Sequence, residues 1–240
     1  MIQIRRVFTH LEEIRHADVA VGAQVLDGVE LLLGGAAIPA PLVNRLTALG
    51  LEPKVSYGLS EMGSQVCTGQ PCAAGVVGRP LPGREVCIRQ GEICVRGDNV
   101  MKGYWQRPDE TELVFYPDRF LRTGDMGYID KDGFVFLVDR KKDMILVSGF
   151  NVYPNEVEEA VAMHPGVLDV AAIGVPDEHS GEAVKIFVVR KDPLVNERML
   201  IEHCRGQLTG YKVPKHVEFR DDLPRTNVGK ILRRALKEGA

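Results

Sequence analysis

The alternation of apolar and polar positions predicts a strand, a helix and a second strand between residues 29 and 57. Residues 29–33 form a short apolar run that ends at the glycine pair 34–35, which is typical of a buried strand entering a tight turn. Residues 39–49 carry a helical pattern that begins with proline and is stopped by Gly50. Residues 54–57 then read as a second strand. This order predicts a parallel α/β unit.

Glycines punctuate residues 76–138, and short alternating runs lie between them at 85–89, 92–96 and 134–138. Regular short strands separated by turn residues predict an antiparallel sheet or a small, barrel-like subdomain. The dipeptide Asp132-Gly133 between two such runs is a good hairpin turn.

After Asp143 the pattern changes to a compact α+β unit of about 100 residues, with a βαββα-like order. Its first helix opens at Pro154 and places Glu156, Glu158 and Glu159 where the helix dipole favours acids. The other predicted elements are strands at 170–175, 183–189 and 216–220, a helix with the stripe Leu200, Cys204 and Leu208, and a short helix at 231–236. The change in pattern puts a domain boundary at residues 140–142.

Composition adds little that is specific. The 240 residues are 45% hydrophobic and 26% charged, and the net charge of -3 gives no bulk attraction to nucleic acid or anionic lipid. The five cysteines are scattered without a Cys-x-x-Cys pair, which fits free thiols in a reducing compartment. No apolar run reaches the roughly 18 residues that span a bilayer, and no apolar segment of signal-peptide length follows Arg5 and Arg6. We therefore expect a cytoplasmic protein without a transmembrane segment, which leaves peripheral membrane contact open.

Four polar signatures, each beside glycine, point to chemistry. They occur at residues 57–61, 122–125, 139–151 and 227–230. The third begins with five consecutive charged residues, 139–143, before an apolar, strand-like run. Each alone could be a solvated turn or surface face, but their order predicts one nucleotide-handling site built from distant parts of the chain.

The first signature, Tyr57-Gly58-Leu59-Ser60-Glu61, places an aromatic ring, a hydroxyl and a carboxylate around a glycine turn. Adenine needs a flat apolar face, and Mg²⁺ on a triphosphate prefers carboxylate oxygen. The segment 34–37, Gly-Gly-Ala-Ala, would let a planar base approach the backbone closely. An ordinary strand-end turn explains either segment equally well.

Two further residues have candidate roles. Asp125, at the end of a strand, could accept hydrogen bonds from ribose hydroxyls, and Lys230, on a glycine turn, could neutralise charge developing on a phosphate. The strand at residues 91–97 and the following Gly103-Tyr104-Trp105 are interpreted as structural support. Cys94 has no neighbour that would activate its thiolate.

Together these motifs resemble the acyl-adenylate-forming enzymes, which include acyl-CoA synthetases, the adenylation domains of peptide synthetases, and luciferases. The resemblance covers residues 31–236 and rests on the four signatures, Gly-Tyr-Trp-x-Arg-Pro at 103–108, and their order. From Gly91 onward the chain looks especially like bacterial long-chain fatty-acid CoA ligases, and residues 31–83 also look like succinylbenzoate-CoA ligases.

The resemblance implies an α/β large domain ending with residues 1–139, a hinge at 140–142 and an α+β lid at 143–240. It implies ATP-dependent adenylation of a carboxylic acid, with a fatty acid as the expected substrate, followed by thioester formation with CoA and aided by Mg²⁺. The implied site residues are Gly35, Ala36, Tyr57 and Gly58 at the adenine turn, Ser60 at the α-phosphate, Glu61 at Mg²⁺, Asp125 at the ribose hydroxyls, Arg140 at the ribose or a phosphate, Lys142 at the hinge, Ser148, Gly149 and Phe150 at the pantetheine tunnel, and Lys230 at the reacting carboxylate and α-phosphate.

The chain departs from the family at its start. The phosphate loop rich in Ser, Thr and Gly normally lies upstream of the Tyr-Gly turn, and residues 1–30 hold none. We therefore expect this chain to correspond to the C-terminal half of such an enzyme. Three alternatives stay open: a non-catalytic remnant that binds nucleotide, an adenylation domain that serves a carrier protein, and a ligase for succinylbenzoate or another aryl acid.

Overall fold

The computed structural model describes residues 31–35, 40–63, 65–71, 75–226 and 229–238. Contacts between Cα atoms divide them into two compact units. Unit 1 comprises the described residues up to Val86 together with Val95–Thr111 and Ile129–Phe136, and unit 2 comprises Cys87–Cys94, Glu112–Tyr128 and the described residues from Leu137 onward.

Unit 1 begins with the predicted parallel α/β arrangement. Strand β1 (Leu32–Gly34) is followed by helix α1 (Ala40–Ala48) and strand β2 (Lys54–Tyr57), and β1 pairs with β2 in parallel. Three buried leucines, Leu46, Leu49 and Leu51, form the adjoining apolar cluster. The parallel pairing is confirmed, while the predicted strand residues 29–30 and the helix-opening Pro39 lie outside the described residues.

The glycine-punctuated region forms sheet. Its elements are β3 (Cys67–Gly69), β4 (Val76–Pro80), β5 (Arg84–Arg89), β6 (Glu92–Gly97), α2 (Pro108–Leu113), β7 (Leu121–Ile129) and β8 (Val135–Arg140). Within unit 1, β3 pairs antiparallel with β2 and with β4, and β4 pairs antiparallel with the start of β8. Of the two predicted alternatives, the sheet is therefore present, and the strands described within each unit do not close into a barrel.

The turn predicted at Asp132-Gly133 is confirmed. The amide of Asp130 donates to the carbonyl of Phe134 over 3.0 Å, and Gly133 has a φ of 81°, in the left-handed region that favours glycine.

Unit 2 has the predicted α+β composition. Its sheet contains β9 (Ile145–Val147), β10 (Phe150–Val152), β11 (Val167–Asp177), β12 (Gly181–Arg190) and β13 (His216–Arg220), and its helices are α3 (Pro154–Ala162), α4 (Glu197–Arg205) and α5 (Arg233–Lys237). The strand order is β10-β9-β12-β11, with β13 parallel to β12.

The two longest strands of this sheet, β11 and β12, are buried on both faces. Successive residues of a strand point to opposite faces, so Ala172 and Ile186 join one core cluster while Ala171 and Phe187 join another. The first cluster contains Val157 of α3, and the second contains Leu236 of α5. Cover on both faces explains why these strands read as continuous apolar runs.

Helix α3 begins at Pro154 and has Glu156 in its first turn, as predicted, and a further acid from elsewhere in the chain binds its start. Tyr153 caps the helix without a side-chain hydrogen bond, and the amide of Asn155 donates to Oδ2 of Asp139 over 2.8 Å. The last helix starts at Arg233 rather than at Ile231, because Ile231 is bridged to Arg225 in extended backbone.

The described part of the chain contains no helix long and apolar enough to cross a membrane.

Candidate functional site

The first signature forms a short turn at the end of β2. Residues Ser60–Met62 make a single 3₁₀ turn that ends at Gly63, whose φ of 63° is left-handed. Ser60 is exposed and Glu61 is half-buried. Tyr57, the predicted adenine platform, is buried and exposes 6% of its surface.

The predicted base-binding glycines differ from one another. A Cβ on Gly34 would lie 2.6 Å from the carbonyl oxygen of Ser56, so glycine is required there for β1 to approach β2. Gly35 has a φ of 81° and nothing described within 4 Å of an added Cβ, which leaves its backbone open to a ligand. Ala36 lies outside the described residues.

The second and third signatures meet within unit 2. Asp125 is 3% exposed, and Nε of Arg140 donates to its Oδ1 over 2.8 Å. Asp125 lies on β7 and Arg140 ends β8. The two residues that the resemblance assigns to the ribose, or in the case of Arg140 to the ribose or a phosphate, are therefore in direct contact, and the adjacent cation offsets the cost of burying the carboxylate.

A second buried acid, Glu92, lies at the start of β6 and supports this pair. Its Oε1 accepts the amide hydrogen of Gly124 over 2.9 Å, and its Oε2 accepts from Nζ of Lys141 over 3.2 Å. Nε of Arg122 lies 3.7 Å from the same Oε2. Glu92 thus binds the residue before Asp125 and the residue after Arg140, which positions both members of the pair.

We expect Glu92→Gln to lower the free energy of unfolding by about 1–2 kcal/mol. Glutamine keeps an acceptor for Gly124 but loses the charge that Lys141 and Arg122 contact, and both cations can turn toward water. Urea denaturation measures the change.

Glu85→Gln is the matched control, because the pair between Glu85 and Arg96 is exposed at both ends. It should leave the denaturation midpoint unchanged. Equal losses in the two variants would show that Glu92 has no special role.

Residues assigned to the tunnel form a tight hairpin. Phe150 pairs with Val147, and the two residues between them, Ser148 and Gly149, have φ values of 51° and 83°. Two left-handed residues in a two-residue loop are typical of a type I′ turn. Phe150 is exposed and stacks on Tyr211 with ring centroids 4.8 Å apart. Lys142, assigned to the hinge, is exposed in the 3₁₀ turn after β8.

Lys230 is exposed at the end of a closed loop. Its amide donates to the Thr226 hydroxyl over 3.2 Å, and its carbonyl accepts from the Thr226 amide over 2.7 Å. Arg225 on the opposite leg pairs with Asp169 of β11. The backbone of Lys230 is therefore held while its side chain stays accessible; Asn227 and Val228 lie outside the described residues.

A buried polar network joins the predicted hinge segment to α5, three residues after Lys230. Nη2 of Arg233 donates to Glu158 at 2.8 Å and to Oδ1 of Asn155 at 3.1 Å. Asn155 in turn binds Asp139, which directly precedes the hinge. Burial raises the pKa of Asp139, against the hydrogen bonds it accepts.

The sequence patterns did not identify Glu92, Tyr104 or Arg233 as residues of the site. For Glu92 a signal existed, because an acid at an inward position of an apolar strand is rarely left unpaired. The hydroxyl of Tyr104 donates to Oε1 of Glu61 over 3.0 Å, so the segment interpreted as support contacts a candidate ligand. The inert role of Cys94 fits its burial, which raises the pKa of its thiol to about 11.

The predicted site residues fall in both units. Gly35, Tyr57 and Glu61 belong to unit 1, whereas Asp125 and Lys230 belong to unit 2. Their convergence on one nucleotide stays a prediction.

Comparison with known proteins agrees with the sequence signatures. The family model for AMP-binding enzymes matches residues 3–105, and the model for the C-terminal domain of AMP-binding enzymes matches residues 156–230. The chain therefore belongs to the AMP-binding enzyme family.

Three relatives illustrate the similarity. The long-chain-fatty-acid–CoA ligase of Escherichia coli O157:H7 is 54% identical over 77% of this chain and 35% of its own length. ATP-bound MatB from Rhodopseudomonas palustris is 36% identical, with a TM-score of 0.81 over 88% of this chain and 45% of that one. The o-succinylbenzoate CoA synthetase MenE from Bacillus subtilis, in complex with the acyl-adenylate OSB-AMP, has a TM-score of 0.81 at 32% identity, over 98% of this chain and 53% of that one.

A second structure of MenE, with a TM-score of 0.79 at 33% identity over 90% of this chain and 50% of that one, holds ATP and a magnesium ion. The chain spans only about a third to a half of the length of these relatives.

Proposed function

We propose that this chain is the C-terminal part of an AMP-forming acyl-CoA ligase of fatty-acid metabolism that acts in the cytoplasm. In the first step a carboxylic acid attacks the α-phosphate of ATP, giving an acyl-adenylate and pyrophosphate. In the second step the thiol of CoA displaces AMP and forms the thioester. The similarity to the Escherichia coli ligase favours a fatty acid as the substrate.

The contact between Asp125 and Arg140 carries this proposal. A buried carboxylate can accept hydrogen bonds from two ribose hydroxyls, and a guanidinium beside it can donate to hydroxyl or phosphate oxygens. Arg140 is 43% exposed along its side chain, so a ligand can reach its guanidinium. Glu92 and Lys141 hold the arrangement in place.

Glu61 is suited to hold Mg²⁺. Mg²⁺ prefers carboxylate oxygen. Among the described residues, a side-chain donor contacts Oε1 of the Glu61 carboxylate and none contacts Oε2. A magnesium ion bound there would neutralise charge on the triphosphate. Tyr57, Gly58, Gly35 and Ala36 would hold the adenine, and Ser60 would contact the α-phosphate.

The remaining assignments concern the second step. Residues 1–139 would belong to the large domain and 143–240 to a lid that rotates about 140–142, with Lys142 at the hinge. Ser148, Gly149 and Phe150 would then line the path of the CoA thiol. Their exposure in a tight turn supports this role, because an exposed turn can be brought to a ligand without unfolding.

A second candidate substrate is succinylbenzoate or another aryl acid, favoured by the likeness to MenE over 98% of this chain. A non-catalytic nucleotide-binding role is the other alternative. Isothermal titration with ATP, AMP and a non-hydrolysable acyl-adenylate, followed by pyrophosphate release with palmitate, succinylbenzoate and a cinnamate, separates these cases.

We expect AMP to bind to the chain and Asp125→Asn to weaken this binding about 10–100-fold, because a charged acceptor for the ribose is lost. Asp132→Asn, in an exposed turn, should bind like the parent chain. Nucleotide binding without pyrophosphate release for any acid would favour the non-catalytic alternative, and unchanged binding by Asp125→Asn would refute the ribose role.

A further inference from the structure

The turn that carries Glu61 is fastened to a distant segment of unit 1. The amide of Met101 donates to the carbonyl of Glu61 over 2.8 Å, and Nδ2 of Asn99 donates to the carbonyl of Met62 over 2.6 Å. A single 3₁₀ turn has few hydrogen bonds of its own. The segment beginning at Asn99 therefore fixes the backbone of the Glu61 turn.

The same segment also reaches the carboxylate. The hydroxyl of Tyr104 donates to Oε1 of Glu61 over 3.0 Å. Asp125 and Glu92 are each paired with a cation, whereas the partner of Glu61 is a neutral hydroxyl. Tyr104 therefore orients the carboxylate without cancelling its charge, which is what a metal ligand needs.

The backbone of Tyr104 is itself fixed by a hydrogen bond to Thr111. Its amide donates to Oγ1 of Thr111 over 2.9 Å, and that hydroxyl donates to the carbonyl of Arg107 over 2.8 Å. A Cβ on Gly103 would lie 2.7 Å from Cγ2 of Thr111, so glycine is needed for this close approach. Gly103 and Tyr104 together therefore place the Tyr104 hydroxyl beside Glu61.

We propose that Tyr104 is a positioning residue for the metal-binding carboxylate of Glu61. This inference rests on the proposed function, since it assumes that Glu61 binds the Mg²⁺ of MgATP. By donating to Oε1, the Tyr104 hydroxyl fixes the rotation of the carboxylate, so that Oε2 would be available to the metal. Ordering the ligand before the metal arrives removes an entropic cost of binding.

The test is ATP binding to the 240-residue chain by isothermal titration over a series of Mg²⁺ concentrations, and in EDTA. Tyr104→Phe keeps the ring and removes the hydroxyl. We expect it to raise the Mg²⁺ concentration needed for half-maximal tight binding about tenfold, and to leave ATP affinity in EDTA unchanged. A purely structural role would instead change both affinities together, or lower the thermal midpoint.

Tyr128→Phe is the control, because Tyr128 is 51% exposed, and it should match the parent chain. If the parent chain binds MgATP and Tyr104→Phe shows the same Mg²⁺ dependence, the positioning role is wrong while the proposed function stands. If the parent chain binds neither ATP nor AMP, the proposed function fails and this inference fails with it.

Discussion

Replacing Arg233 with methionine should lower the free energy of unfolding by about 3–5 kcal/mol, because it leaves the carboxylate of Glu158 buried without its cation. Arg233 and Glu158 expose only 18% and 15% of their side chains. Methionine retains much of the arginine's apolar stem, so the loss reports the missing charge rather than a cavity. Urea denaturation at neutral pH measures it.

The size of this loss should depend on pH. Burial raises the pKa of Glu158 to about 7, although Arg233 opposes the rise. This value lies above the pKa of a free glutamate, about 4.3, so between these two pH values the folded protein binds a proton that the unfolded chain does not. The contribution of Glu158 to stability is therefore present at low pH and is lost as the pH rises through about 7. Without Arg233 the pKa rises further, so Arg233→Met should cost more at about pH 8 than at about pH 5.

Two further variants make this result specific. Arg234→Met alters the neighbouring arginine, whose pair with Glu238 is exposed, and should leave the midpoint unchanged. Combining Arg233→Met with Glu158→Gln should cost less than the sum of the two single changes, since the buried charge of Glu158 is then absent. Strict additivity, or a loss that is the same at both pH values, would contradict the assignment of a buried ion pair.

Local patterns were sufficient to predict much of the fold. The strands at 54–57 and 216–220 have the predicted bounds, because the alternation of apolar and polar residues stops at the ends of each strand. β11 and β12 run beyond their predicted ends, since a ladder of backbone hydrogen bonds continues past the last apolar residue. Helix α2 escaped prediction because it has no buried residue and therefore no apolar stripe.

The long-range contacts of the site could not be predicted from the same patterns. Tyr104 and Glu61 are 43 positions apart, and Arg233 and Glu158 are 75 apart. Charge patterns carry information about neighbours three or four residues away on a helix, not about such distances. Glu158 is an example. The sequence pattern accounted for it as an acid in an early turn of α3, favoured by the helix dipole, and gave no sign of its main partner, Arg233 on α5.

Replacing Lys230 with alanine should lower the rate of acyl-adenylate formation about 10²–10³-fold. The reacting carboxylate and the α-phosphate are both anionic, and the ammonium is a cation that the loop can bring to them. The backbone of Lys230 is fixed by hydrogen bonds with Thr226. Little free energy is therefore needed to order this residue when the substrates bind. Pyrophosphate exchange with ATP and the carboxylic acid measures this step.

The same variant should form thioester from supplied acyl-adenylate and CoA at nearly the parent rate, because that step does not bring two anions together. Lys237→Ala, an exposed lysine at the end of α5, should retain both rates. If the 240-residue chain exchanges no pyrophosphate, affinity for a non-hydrolysable acyl-adenylate replaces the rate, and Lys230→Ala should weaken it about tenfold through loss of one charge-assisted contact. Equal losses in both half-reactions would mean that Lys230 supports the fold of the lid rather than the charge of the first transition state.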